Sequence, residues 1–114
     1  MKIREIAQLV NGTIVCGKES VEEELTIAFT ADLMSDVLTV KIDNLLLITG
    51  LANVQTIRTA EMSDIKCLLF TRNKNVTSEM IEIAEDNDMV IIKTSYSSFR
   101  TSGILYNNGI KPVY

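Results

Sequence analysis

Three short stretches carry side chains that could hold an anion: Thr49-Gly50, Thr71-Arg72-Asn73-Lys74 and Lys93-Thr94-Ser95. Each supplies a threonine hydroxyl. Two add cations, and each precedes a segment with helical spacing. Free N–H groups at a helix start, the helix dipole, Arg72 and both lysines could together hold a phosphate or a carboxylate. The same residues also suit ordinary helix caps and surface cations, and both readings stand at this point. Gly50 is alone, with neither a G-x-G-x-x-G run nor a Walker A run around it.

A second group is Asp32 and Asp36, spaced four apart. Two carboxylates on one helical face could bind a cation or act as an acid–base pair, but the sequence offers no third ligand. The alternative is a cap and a surface residue. Arg58 and Glu61 are spaced for a local ion pair, or for a contact between subunits. The chain has no histidine, and its two cysteines, Cys16 and Cys67, form no CxxC pair. Cys67 sits in an apolar run, where cysteine behaves as a small hydrophobe. The reading is therefore no catalytic residues, no metal ligands and no cofactor.

The strand ends must be placed by a sheet. Leu45–Ile48 and Ile65–Phe70 are apolar runs suited to strands covered on both faces. About a helix's length separates them, which makes a βαβ unit with parallel strands. Met89–Ile92 predicts a third buried strand. Helices are predicted over 2–10, stopped by Asn11-Gly12; from Thr77 as N-cap; and over 97–106, with Phe99, Ile104 and Leu105 as its apolar residues. Thr13–Cys16 and Leu25–Phe29 predict two further strands that could pair with each other. The segment 30–38 predicts a short helix capped by Thr30 or Asp32, with Leu33, Met34, Val37 and Leu38 on its apolar face. Ile110–Tyr114, with the only proline, predicts an edge strand. The fold class expected is α/β: a single three-layer domain, residues 1–114, with a mainly parallel sheet flanked by helices.

The chain has 114 residues, 46% of them hydrophobic, enough for one core. Net charge is −4, which disfavours nucleic acid as a partner. No apolar run is long enough to span a membrane, and the first residues lack a secretory signal, so a cytoplasmic location is expected. A mean hydropathy of +0.19 is somewhat high for this size and fits either a subunit interface or a well-filled core. A homodimer is expected. Its contacts are placed on the short helix 30–38, at Asp32, Leu33, Met34, Asp36 and Val37, with Asp36 either at the rim or facing Arg58 of the second copy.

Thr30-Ala31-Asp32-Leu33-Met34-Ser35-Asp36-Val37-Leu38, then Leu46–Asn53, Arg58–Met62, and Lys93–Phe99 followed by Gly103–Tyr106, resemble the DRTGG domain family over nearly the whole chain. The resemblance is to its stand-alone members. Similar domains sit inside CBS-containing inorganic pyrophosphatases and phosphotransacetylases, and the fold is similar to the N-terminal domains of HPr kinase and Mur ligases. The resemblance implies a three-layer α/β domain with a dimerising or regulatory role and no catalysis of its own. It also implies a protein partner in a redox system, the iron hydrogenases, or in phosphate metabolism. The alternative function is a small-anion or adenine-nucleotide sensor binding at Thr49, Gly50, Thr71, Arg72, Lys93, Thr94 and Ser95. The contiguous Asp-Arg-Thr-Gly-Gly motif is absent. Gly50-Leu51-Ala52 and Thr71-Arg72-Asn73 stand where its glycines would be sought.

Overall fold

The computed structural model describes residues 1–114. Its elements, in chain order, are α1 (Ile3–Leu9), β1 (Thr13–Cys16), a 3-10 turn (Lys18–Ser20), β2 (Ile27–Thr30) and α2 (Met34–Val37). There follow β3 (Leu45–Thr49), α3 (Val54–Met62), β4 (Cys67–Phe70), α4 (Ser78–Asp86), β5 (Val90–Lys93), α5 (Ser98–Asn107) and β6 (Lys111–Pro112). One six-stranded sheet runs in the order β1-β5-β4-β3-β2-β6. All pairings are parallel except β1 with β5.

The unbroken apolar run of β3 follows from this position. Leu45 and Leu47 enter one core cluster with Val37, Ile57, Ala60, Met80 and Ala84, the side of α2, α3 and α4. Leu46 and Ile48 enter another with Ile3, Ile6, Val10 and Leu105, the side of α1 and α5. A strand alternates its side chains between faces, so a sheet covered on both sides needs apolar residues at every position. β4 and β5 read the same way, and Cys67 lies fully buried in the α1/α5 cluster as a small apolar residue. The expected three-layer α/β architecture is thus present, with helices on both faces of a mainly parallel sheet.

Three expectations need correction. β1 and β2 do not form a hairpin: they lie on opposite flanks of the sheet, with β5, β4 and β3 between them. The long connection across the Lys18–Ser20 turn makes that separation possible. Phe99 does not face the core but is 90% exposed. The inward face of α5 carries Thr101 and Leu105 instead. Lastly, neither Thr30 nor Asp32 caps α2. Leu33 occupies the cap position, with no side-chain hydrogen bond. Thr77 and Ser97 do cap α4 and α5, accepting from the Met80 and Arg100 N–H groups. β6 pairs with the β2 edge, as its single proline allows. No helix is long and apolar enough to cross a membrane.

Candidate functional site

The carboxyl ends of β2, β3, β4 and β5 lie side by side, where an open α/β sheet takes its ligands. Thr49 ends β3 and is fully buried. Its hydroxyl donates to Asp32 Oδ1 at 3.0 Å and accepts from the Leu51 N–H at 3.1 Å. The Gly50 N–H donates to the same Asp32 oxygen at 2.8 Å. Asp32 therefore braces the turn after β3, which is the role it takes in place of the expected cap.

Thr71 follows β4 and is also fully buried. Its N–H donates to the Thr49 carbonyl at 3.1 Å, and its hydroxyl shares a hydrogen bond with Ser98 at 2.8 Å. A Cβ on Gly50 would stand 3.7 Å from both Asp32 Oδ1 and Thr71 Oγ1. Asp32, Thr49, Gly50, Thr71 and Ser98 thus make one contiguous polar cluster. The cluster carries a carboxylate and no cation, so it is poorly suited to an anion.

Arg72 and Asn73 both take left-handed backbone angles, φ 64° and 53°. Glycine holds that conformation most cheaply, and these are the positions where the family's glycines would be sought. The N–H groups of both residues are already used, donating to the Tyr96 and Thr94 carbonyls at 2.8 Å each. The Arg72 side chain is exposed and makes no ion pair. Thr94 is buried, donates to the Val10 carbonyl at 2.7 Å and accepts from the Tyr96 N–H at 3.2 Å.

The expected ligand residues therefore separate. Thr49, Gly50 and Thr71 share the Asp32 cluster. Lys93, Thr94 and Ser95 line a different, shallow depression of about 540 Å³ with Asn11, Thr13, Ile14, Val15 and Asn73. Arg72 lines neither. The second depression has a lysine and no acidic residue, so it is the better place for an anion. The strand-end threonines are not helix caps; Asn53, Thr77 and Ser97 are.

The Asp32 side opens on a wider hollow that includes Phe29, Thr30, Leu33, Asp36 and Tyr114. Asp32 and Asp36 have no third carboxylate, cysteine or histidine placed with them to hold a metal ion. Burial pushes the Cys67 thiol far above its ordinary pKa, and burial likewise raises Cys16. Neither is a poised nucleophile.

Of the expected dimer contacts, Leu33, Asp36 and Arg58 are exposed and Met34 is partly buried against the core. Val37 has no exposed surface and packs inside its own chain, so it is removed from any contact between copies. Met62, Phe99 and Tyr106, which sequence reasoning missed, are 61%, 90% and 66% exposed. On α5 the signal was available: Phe99, Gly103 and Tyr106 follow the i, i+4, i+7 spacing of one helix face.

Comparison with known proteins gives a family and a fold. The DRTGG domain matches residues 5–107. No functionally curated protein matches the chain. Among solved structures, the fold is similar to the CBS and DRTGG domains of the regulatory region of Clostridium perfringens pyrophosphatase, complexed with its activator diadenosine tetraphosphate. The likeness has a TM-score of 0.71 at 17% identity, covering 91% of this chain and 45% of that one.

Proposed function

The chain belongs to the DRTGG domain family, and from that premise we propose that it is a non-catalytic regulatory or assembly module that acts as a homodimer. The observation that carries this reading is the exposure of large apolar side chains. Leu33, Leu38, Met62, Phe99 and Tyr106 stand on the surface, while the strand-end hydroxyls are satisfied within the chain. Exposed apolar surface marks association more than chemistry. The partner system implied by the family resemblance, a redox enzyme or one of phosphate metabolism, belongs to the same proposal. Thermal melts test the homodimer: mass action should raise the Tm between ~1 and ~100 μM chain. A Tm independent of concentration over that range would contradict it.

A second reading rests on the depression at the end of β5. Lys93, with Asn73 and Ser95 beside it, supports binding of a small anion or the phosphate of an adenine nucleotide, while the Thr94 hydroxyl is already given to the Val10 carbonyl. That the related pyrophosphatase region carries an adenine dinucleotide agrees with the ligand class. AMP or inorganic phosphate at ~100 times its Kd should stabilise the fold by about 2.7 kcal/mol, and Lys93→Ala should remove most of that gain. No shift with either compound at millimolar concentration would rule this reading out.

A further inference from the structure

We infer that the outward face of α5 is the two-fold contact of the homodimer, with Phe99 of each copy seated in the cleft beside Tyr106 of the other. The inference rests on the homodimer reading and moves its contact away from α2.

The outer face of α5 does not look like a helix face built for water. α4 exposes Glu79, Glu82, Glu85 and Asp86. Over its ten residues, α5 has one charge, Arg100, and that guanidinium lies over the Tyr96 ring at 3.7 Å. What α5 presents instead is Phe99, Gly103 and Tyr106, with the two rings 90% and 66% exposed. In a chain of net charge −4, this is a face where a second copy meets no carboxylate of the same helix.

Gly103 has no explanation inside its own chain. A Cβ built there meets nothing within 4 Å. Glycine weakens a helix interior relative to alanine, so open space around it is a cost without a local return. A helix of another molecule crossing at Gly103 can approach closely because the side chain is missing. Phe99 lies about 6 Å along the axis on one side of Gly103 and Tyr106 about 4.5 Å on the other, from the 1.5 Å rise per residue. A two-fold axis at Gly103 therefore brings each Phe99 opposite the other copy's Tyr106, as an isologous contact requires.

The receiving surface is present. Tyr106 forms one wall of an apolar cleft with Ser102, Leu105, Pro112, Val113 and Tyr114, about 230 Å³ in volume. A cavity of about 150 Å³ suffices for a benzene ring, so a phenyl group fits. An aromatic anchor entering a partner's cleft is the usual core of a stable contact. At roughly 200 Å² per aromatic side chain, covering these four rings to the extent they are exposed removes about 600 Å² from water. That is over half of the ~1,000 Å² a specific interface needs, before any flanking contact is counted.

Sedimentation velocity on the whole chain tests this. Wild type at ~100 μM should be a dimer, Phe99→Glu a monomer of unchanged circular dichroism, and Met62→Glu, on the opposite side of the sheet, still a dimer. Gly103→Cys changes no other exposed side chain, and air oxidation should link it to a second copy, since the two residues meet at the axis. A Phe99→Glu dimer, a Gly103→Cys chain that fails to cross-link, or dissociation by Met62→Glu alone would overturn the inference and leave the homodimer reading standing. A wild-type monomer at ~100 μM would remove both.

Discussion

Asp32 Oδ1 accepts the Gly50 N–H at 2.8 Å and the Thr49 hydroxyl at 3.0 Å, tying the segment after β2 to the turn after β3. The Thr49 hydroxyl is buried, and a buried donor stripped of its acceptor costs about 1–3 kcal/mol. Asp32→Ala should therefore lower stability in urea by about that amount. Asp32→Asn keeps an acceptor oxygen and should lose less. Equal losses for the two variants would mean that the hydrogen bonds are not what holds the turn.

Arg72 sits at φ 64°, a conformation that costs an L-residue about 1–2 kcal/mol. Arg72→Gly relieves that strain but adds freedom to the unfolded chain, which returns about 0.4–1 kcal/mol. The expected result is unchanged or slightly raised stability. Arg72→Val places a branched side chain in the same backbone and should lower stability by more than 1 kcal/mol, on the order of a strained residue. Denaturant midpoints decide between them, and a glycine variant less stable than the valine one would contradict the left-handed turn.

The Thr101 hydroxyl is fully buried with no hydrogen-bond partner. Thr101→Val keeps the branched shape and removes the unsatisfied group, so it should raise stability by about 1 kcal/mol. A loss of stability in the chemical melt would show that the hydroxyl is satisfied in solution.

Cys67 and Cys16 are held as neutral thiols, chiefly by burial. The folded chain keeps these protons to higher pH than the unfolded chain, whose thiols ionise near pH 8.5. Their contribution is thus full below about pH 8.5 and is lost progressively as the pH rises above it, at up to about 1.4 kcal/mol per unit for each thiol. Melts between about pH 7.5 and 10 should show this decline, and Cys67→Ala should make it shallower. Parallel curves for the two proteins would count against it.

Much of this fold was legible in local sequence. β3, β4 and β5 announce themselves as apolar runs because both their faces are covered. Thr77 was readable as a cap because a cap acts within three residues, whereas Ser97, read as the first residue of its helix, is that helix's cap. Long-range pairing was less so. Proximity in sequence favoured a β1–β2 hairpin, yet β1 joins β5, whose register partners run from Cys16 with Ile91 to Thr13 with Lys93, 75 to 80 residues apart. Asp32 looked like a helix cap because its partners, Thr49 and Gly50, lie 17 and 18 residues further on. Phe99 was misplaced because the inner face of α5 uses Thr101, a polar residue, where an apolar stripe was expected. Thr49, Thr71 and Lys93 do lie at the ends of β3, β4 and β5, but the residues around them do not come together in one site. Only side-chain geometry separated the carboxylate-bearing end of β3 from the lysine-bearing end of β5.

The central claim is that two copies of this chain act together, and its molar mass in solution tests it most directly. Light scattering on the eluting wild-type chain, loaded at ~100 μM, should report twice the 12.7 kDa of one chain and fall toward a single mass only on strong dilution. A mass of one chain at that loading concentration would contradict the account.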